Sequence, residues 1–188
     1  MRITDIVRSD YYDRSIITSM DDLINSVKRI ESLFRQSREY RNYIASVREG
    51  LQKKNCAYFT DKDFSEVTLE LHHVYSLYDI VILVGTKLLT ELENDQFLTV
   101  YDIVNELIKF HMKDFPIVIM LSKTMHELYH SKQYELPKDS KELHLGRYEN
   151  FISEYREYLD AKEIIKLYKY FNVDIENLIN KQEIKNNE

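Results

Sequence analysis

Punctuation of the backbone is the feature that most restricts this chain. Gly50, Gly85, Gly146, Pro116 and Pro137 are the only glycines and prolines in 188 residues. Tight turns draw heavily on these two residue types, so a many-stranded sheet has too few places to reverse direction. Long helices joined by a few polar breaks are the natural alternative, and the apolar residues recur at matching intervals. Leu23, Val27, Ile30 and Phe34, continued by Tyr40, Ile44 and Val47, predict helix from about Met20 to Glu49, with Asp21 or Asp22 capping its start and a break near Ser37. Leu77, Ile80, Val81, Val84, Leu88 and Leu92 predict a second helix between Ser76 and Glu93, and Asn94 and Asp95 mark a turn after it. Thr99 then caps a third, whose apolar face carries Val100, Ile103, Val104, Leu107 and Phe110. After Pro137, Gly146 leads into a tyrosine-rich helix from about Tyr148 to Leu159, and a polar tail from Lys181 to Glu188 follows one or two short helices.

Two short segments break the helical period. Val67, Leu69 and Leu71 alternate with Thr68, Glu70 and His72, the pattern of a half-buried strand that ends in His72-His73. Ile117 to Leu121 is an uninterrupted apolar run of strand length behind Pro116, and Ser122 can cap the helix that follows it. The fold expected is therefore α+β and helix-dominated, with a small antiparallel two-stranded ribbon. One domain spans 1–188. It divides into an N-terminal helical arm over 1–55, a core over 56–135 with a helical insertion at about 76–113, and a C-terminal helical segment over 136–188.

Charge and cysteine usage narrow the function classes. No apolar stretch approaches the length of a membrane span, and residues 1–20 lack the apolar core of a secretory signal. The single Cys56 excludes an internal disulfide and a cysteine-based zinc knuckle, so the cytoplasm is the expected compartment (the host cytoplasm if the chain is viral). The net charge of −6 argues against general nucleic-acid binding, yet Lys28 to Lys54 carries eight basic residues against three acidic ones. Arg35, Arg38, Arg41 and Arg48 in that stretch are candidate phosphate contacts; the competing reading is an ordinary solvated helix face.

The histidines carry the chemistry. His126 and His130 are one helical turn apart and project from one face, where they can share a cation. His72 and His73 are neighbours on a strand, so alternation sends their side chains in different directions. One can ligate a metal while the other stays beside it as a free base, the division of labour that metal-assisted hydrolysis needs. Each pair alone is a common coincidence. The order matters more: a strand ending in His-His, then a second strand running straight into the helix with His126 and His130.

Glu70-Leu71-His72-His73 followed by Ile119 to His130 resembles the motif of the HNH (ββα-metal) endonuclease superfamily, most closely its colicin-nuclease form. The same stretches are similar to phage-encoded HNH proteins in which the double histidine leads into a helix like Leu77 to Val81. The resemblance implies a ββα-metal motif with a helical-hairpin insertion, and His72, His126 and His130 as metal ligands. It implies His73 as general base, and a metal-dependent endonuclease acting on nucleic acid, most naturally DNA. Imidazole ligation suits zinc, nickel, cobalt or manganese better than calcium, and magnesium stays open as the working divalent ion.

The chain departs from that family in three places. The family's middle asparagine is absent near Pro116 and Ile117, with Asp114 the nearest polar residue; the linker from Val74 to Met125 is long; and Ser122 and Met125 stand where a cysteine-bound zinc would brace the fold. The competing expectations are therefore a non-catalytic HNH-like module that docks nucleic acid or protein, and a helical structural or interaction protein of viral origin. Around the site, Glu70 and Glu127 are candidates for orienting imidazoles, Glu127 being by default a surface residue. His111 is expected at a helix end and His144 in a solvated polar loop. Tyr40, Tyr43, Tyr148, Tyr155 and Tyr158 recur at helical spacing and are expected to pack with their hydroxyls at the surface.

Overall fold

A computed structural model of the chain describes residues 16–50, 55–59, 68–93, 97–137, 143–160 and 163–164. Six helices and five strands lie among them. They are β1 (Ile16–Ile17), α1 (Met20–Gln36), α2 (Arg38–Gly50), β2 (Leu69–His73), α3 (Leu77–Thr90), β3 (Leu98–Thr99), α4 (Val100–Met112), β4 (Val118–Ser122), α5 (Lys123–His130), β5 (Leu143–His144) and α6 (Tyr148–Tyr155). The helix-dominated α+β class is as the apolar periodicity implies. The turn at Asn94 and Asp95, most of the polar stretch from Leu51 to Ser65, Val67 and the polar tail fall outside the described residues.

The helix starts are written in short polar side chains. The hydroxyls of Ser19, Ser76 and Ser122 accept from the backbone N–H of Asp22, Asp79 and Met125. At α4, Thr99 and Asp102 cap each other reciprocally. At Ser37 the backbone turns extended, with ψ 149, which separates α1 from α2. The α1 stripe of Leu23, Val27, Ile30 and Phe34 is fully buried against α3 and α4. Gly85 permits that approach, since a Cβ there would come within 2.5 Å of Leu23 Cδ1. The aromatic end of α6 closes the core, with Phe151 and Tyr155 at 5.2 and 5.5 Å from the Phe110 ring.

The sheet is larger than a two-stranded ribbon. β2 pairs antiparallel with β4 from Leu69↔Ser122 to His73↔Val118, and β5 adds a third strand through Val118↔His144 and Ile119↔Leu143. Two residues are too few to show an alternating pattern, which is why Leu143-His144 reads as loop in sequence. A separate pair joins β1 to β3, with Ile16 opposite Thr99 and Ile17 opposite Leu98. The two faces of the β2–β4 pair meet different partners. Tyr40 of α2 and His111 of α4 lie against His73, whereas α5 lies against His72.

The return from β5 to α6 depends on one backbone conformation. Gly146 has φ +58, and a Cβ there would fall on the carbonyl oxygens of Asp114 and Pro116. Left-handed geometry and backbone crowding act together, and neither yields to a rotamer change. Gly146→Ala is expected to lower unfolding free energy by about 2 kcal/mol or more, read as a lower urea midpoint at unchanged m-value.

Candidate metal centre

Strand alternation sorts the double histidine. Glu70 and His72 face α5, and Leu71 and His73 face the helical layer. Because β4 runs through Ser122 directly into α5, His126 and His130 are carried back over His72. The ring centroids of His126 and His130 lie 4.9 and 5.3 Å from that of His72. One ring nitrogen from each of the three lies within 4.8 Å of the others. His126 and His130 approach most closely, Nε2 to Nε2 at 3.0 Å.

Hydrogen bonding fixes how these rings present themselves. Glu70 Oε2 is 2.6 Å from His126 Nδ1 and accepts its proton, which leaves the Nε2 lone pair of neutral His126 facing the cluster. His72 Nε2 is buried with no hydrogen-bond partner, a cost that a ligated ion would remove. Two nitrogens on one tetrahedral zinc-like ion are separated by about 3.3 Å, as bonds of about 2.0–2.1 Å dictate, so the spacing suits a shared cation. Burial, then the neighbouring His126 and His130, pushes His72 down to about 3. Burial and His126 also lower His130. Both effects favour neutral imidazole, the form that donates to metal. The edge of the trio is walled by Tyr129, whose ring lies 4.6 Å from that of His72. Its place at three residues beyond His126 was readable from helical spacing; its contact with His72 needed the sheet register. Glu127 is exposed, as a surface residue would be.

His73 does not join this cluster. It is 5% exposed, on the opposite face of β2, with its Nε2 at 3.1 Å from His111 Nε2 and its ring stacked on Tyr40. A base for a water near the trio would have to reach through the sheet, so the role implied for His73 by the HNH resemblance has no geometric support. His111 is not merely a helix-end residue. Its Nδ1–H donates to Leu107 O at 2.7 Å, so its Nε2 accepts from His73 Nε2–H. Phe34, Tyr40 and Tyr43 surround it with centroids at 4.6, 5.7 and 5.0 Å. His144 is likewise not loosely solvated: it sits in β5 with its Nε2 at 2.7 Å from Asp114 Oδ1.

The arginines divide. Arg48 donates from Nη2 to Leu69 O at 2.6 Å and its Nε is buried without a partner, so it ties α2 to β2 and is withdrawn from the phosphate-contacting set. Arg35, Arg38 and Arg41 are exposed on α1 and α2. Phe34 and Tyr40, on these same helices, contact the His73–His111 side, across the sheet from the histidine trio. Of the five tyrosines, Tyr40, Tyr43 and Tyr155 are core residues at 4%, 6% and 1% exposure, and the Tyr43 hydroxyl is buried too.

Burial, offset in part by the hydrogen bond to Leu107 and reinforced by Arg35, pushes His111 down to about 4 from 6.5. A histidine depressed in the folded state binds more protons when unfolded between those two values. Its contribution to stability is therefore complete above pH 6.5 and is lost as pH falls toward 4. From this residue alone the loss between pH 7 and pH 5 is about 2 kcal/mol. His111→Leu should be less stable at pH 7, where His73 loses its acceptor. Its pH dependence should be shallower by about one proton, measured by urea unfolding across that range.

Among curated proteins and solved structures, nothing matches the chain. The family model of bacteriophage G278-like virion proteins matches residues 1–188, from first to last. The match supports the phage origin implied by the resemblance and gives nothing for an HNH endonuclease. By that match along its whole length, the chain belongs to the bacteriophage G278-like virion protein family.

Proposed function

We propose that this chain is a virion component whose HNH-like ββα unit holds one divalent metal ion as a clip between β2 and α5, without acting as a nuclease. The observation that carries the reading is the convergence of His72, His126 and His130, with His72 Nε2 buried and unpartnered and His126 oriented by Glu70. Zinc, nickel, cobalt and manganese suit such a donor set, with magnesium the least suited to all-nitrogen ligation. Two placements favour a non-catalytic role: His73 is turned into the core, and Arg48 is committed to a backbone carbonyl. The family description, a virion protein, agrees with a part that is assembled rather than one that turns over substrate.

One observation favours the endonuclease as a second reading. Among the described residues the site has three protein ligands at a partly exposed place, and catalytic zinc sites characteristically keep a position open in this way. A divalent ion held there would polarise a phosphate oxygen and acidify a water molecule. Within the chain, Glu70 would hold His126 in its ligating tautomer. The exposed Arg35, Arg38 and Arg41 would engage nucleic acid elsewhere on the surface.

Titration of chelator-treated protein with zinc or nickel is expected to show one site per chain by calorimetry and a raised melting temperature. Saturation at a hundred times the dissociation constant adds about 2.7 kcal/mol. His126→Ala and His130→Ala should abolish the site, Glu70→Gln should weaken it about 10- to 100-fold, and His73→Phe should leave it. Absence of stoichiometric binding would sink both readings. Plasmid nicking by metal-loaded wild type that disappears in His126→Ala would replace the clip with the nuclease.

A further inference from the structure

The other face of the sheet holds a second group of polar residues that the metal site does not use. His73, Val118 and His144 stand in one row across β2, β4 and β5, and His111 and Asp114 reach the same side from the end of α4. Beside them opens a cleft of roughly 560 Å³, within the size range of small-molecule sites. Its polar lining comes from Asn42, Tyr43, Ser46, His111, Asp114 and His144, and Val47 and Met112 complete it.

We propose that this cleft binds an organic cation, a primary ammonium or a guanidinium group. Its lining includes no lysine or arginine and holds the carboxylate of Asp114. Among the described residues the only side-chain partner of Asp114 is His144, through Oδ1, which leaves Oδ2 for a ligand. His144 donates its Nε2 proton to Asp114, so in the neutral ring Nδ1 is a further acceptor. Tyr43, which lines the cleft, is 6% exposed, and its buried hydroxyl has no partner. Burial, with the nearby Asp114 charge, raises the Tyr43 phenol and keeps it neutral. A buried phenol oxygen without a partner carries a cost that an N–H donor would relieve.

The cleft wall is also held in place before any ligand arrives. Asp114 has φ +58, an unusual conformation for a residue with a side chain, and its carbonyl accepts from Arg147 N beside the left-handed Gly146. That backbone lock fixes where the carboxylate stands, and preorganisation of this kind lowers the cost of binding. An anion would meet Asp114 with no cation in the lining to offset it.

Full-length His130→Ala protein in chelator, which removes the metal trio from consideration, is titrated with putrescine and, separately, with Nα-acetyl-arginine amide. Two-dimensional amide and imidazole NMR spectra report binding. Saturable shifts at Asn42, Ser46, Asp114 and His144 are expected, with acetate and inorganic phosphate silent. Asp114→Asn should weaken binding about fivefold, the scale of one partly exposed ion pair, and Ser46→Phe should block the cleft from an exposed position whether or not Asp114→Asn folds. A response to the diamine alone points to free polyamines. A response to the arginine amide alone points to a protein side chain, and either supports the shared chemistry. The proposal is overturned by no saturable shift at tens of millimolar, by equal affinity in Ser46→Phe, or by acetate producing the same shifts.

Discussion

The register of β2 on β4 decides everything else about the two histidine groups. Five paired positions run from Leu69↔Ser122 to His73↔Val118, and with side chains alternating at every residue, this register assigns His72 to α5 and His73 to the helical core. A slip of one residue would exchange them. It would bury the orphaned nitrogen of His72 among the aromatics of α2 and α4 and turn His73 toward α5. The His72-His73 pair by itself does not forbid this, since both residues are histidine. The surrounding contacts do: Leu69 and Leu71 are buried beside His73, Glu70 must reach His126, and the Arg48 side chain is anchored on Leu69 O.

Each face then treats imidazole differently. Against α4, the pair His73–His111 satisfies itself: one ring donates, the other accepts, and the second nitrogen of His111 is spent on Leu107 O. The pair is buried against the rings of Phe34, Tyr40 and Tyr43, and burial keeps it neutral. Against α5, satisfaction is incomplete. Glu70 accepts from His126 Nδ1–H, the Nε2 lone pair of His126 is met only by the neighbouring imidazole of His130, which must donate its Nε2–H, and His72 Nε2 has no hydrogen-bond partner. The same residue type forms a closed network on one side of a single strand and an open one on the other. The open network is where the proposed metal ion would sit.

Much of this was legible in sequence, and the failures have physical causes. The three long helices announce themselves through apolar stripes and hydroxyl caps, both local signals, and Ser37 marks the break between α1 and α2 as placed. That one histidine of the His72-His73 pair would meet His126 and His130 followed from strand-then-helix order, because a strand running straight into a helix folds that helix back over its neighbour; that it is His72 was what the HNH resemblance implied. The environment of His73 was not legible. Alternation says that it points away from His72, but only tertiary packing says that α2 and α4 close over it. β5 escaped for the opposite reason: two residues have no period, and Leu143-His144 becomes strand only because Val118 and Ile119 offer it an edge. Arg48 looked like its exposed neighbours because a long side chain reaching a distant carbonyl leaves no trace in spacing.

The energetics of α5 bear on why an open network would persist at all. This helix has eight residues, well short of the length at which a helix is stable by itself, and Met125 is its only fully buried side chain. Leu128 and Tyr129 add partial burial, and Ser122 supplies the cap. A helix so lightly held gains more from a cross-link to the sheet than a deeply packed one would. His72 lies on β2, whereas His126 and His130 lie on α5, so an ion shared among them would restrain this short helix against a strand held at five paired positions. On that argument the three histidines need no catalytic task to account for their convergence. Catalysis would demand in addition a base near the ion, and the one adjacent in sequence has been folded into the core.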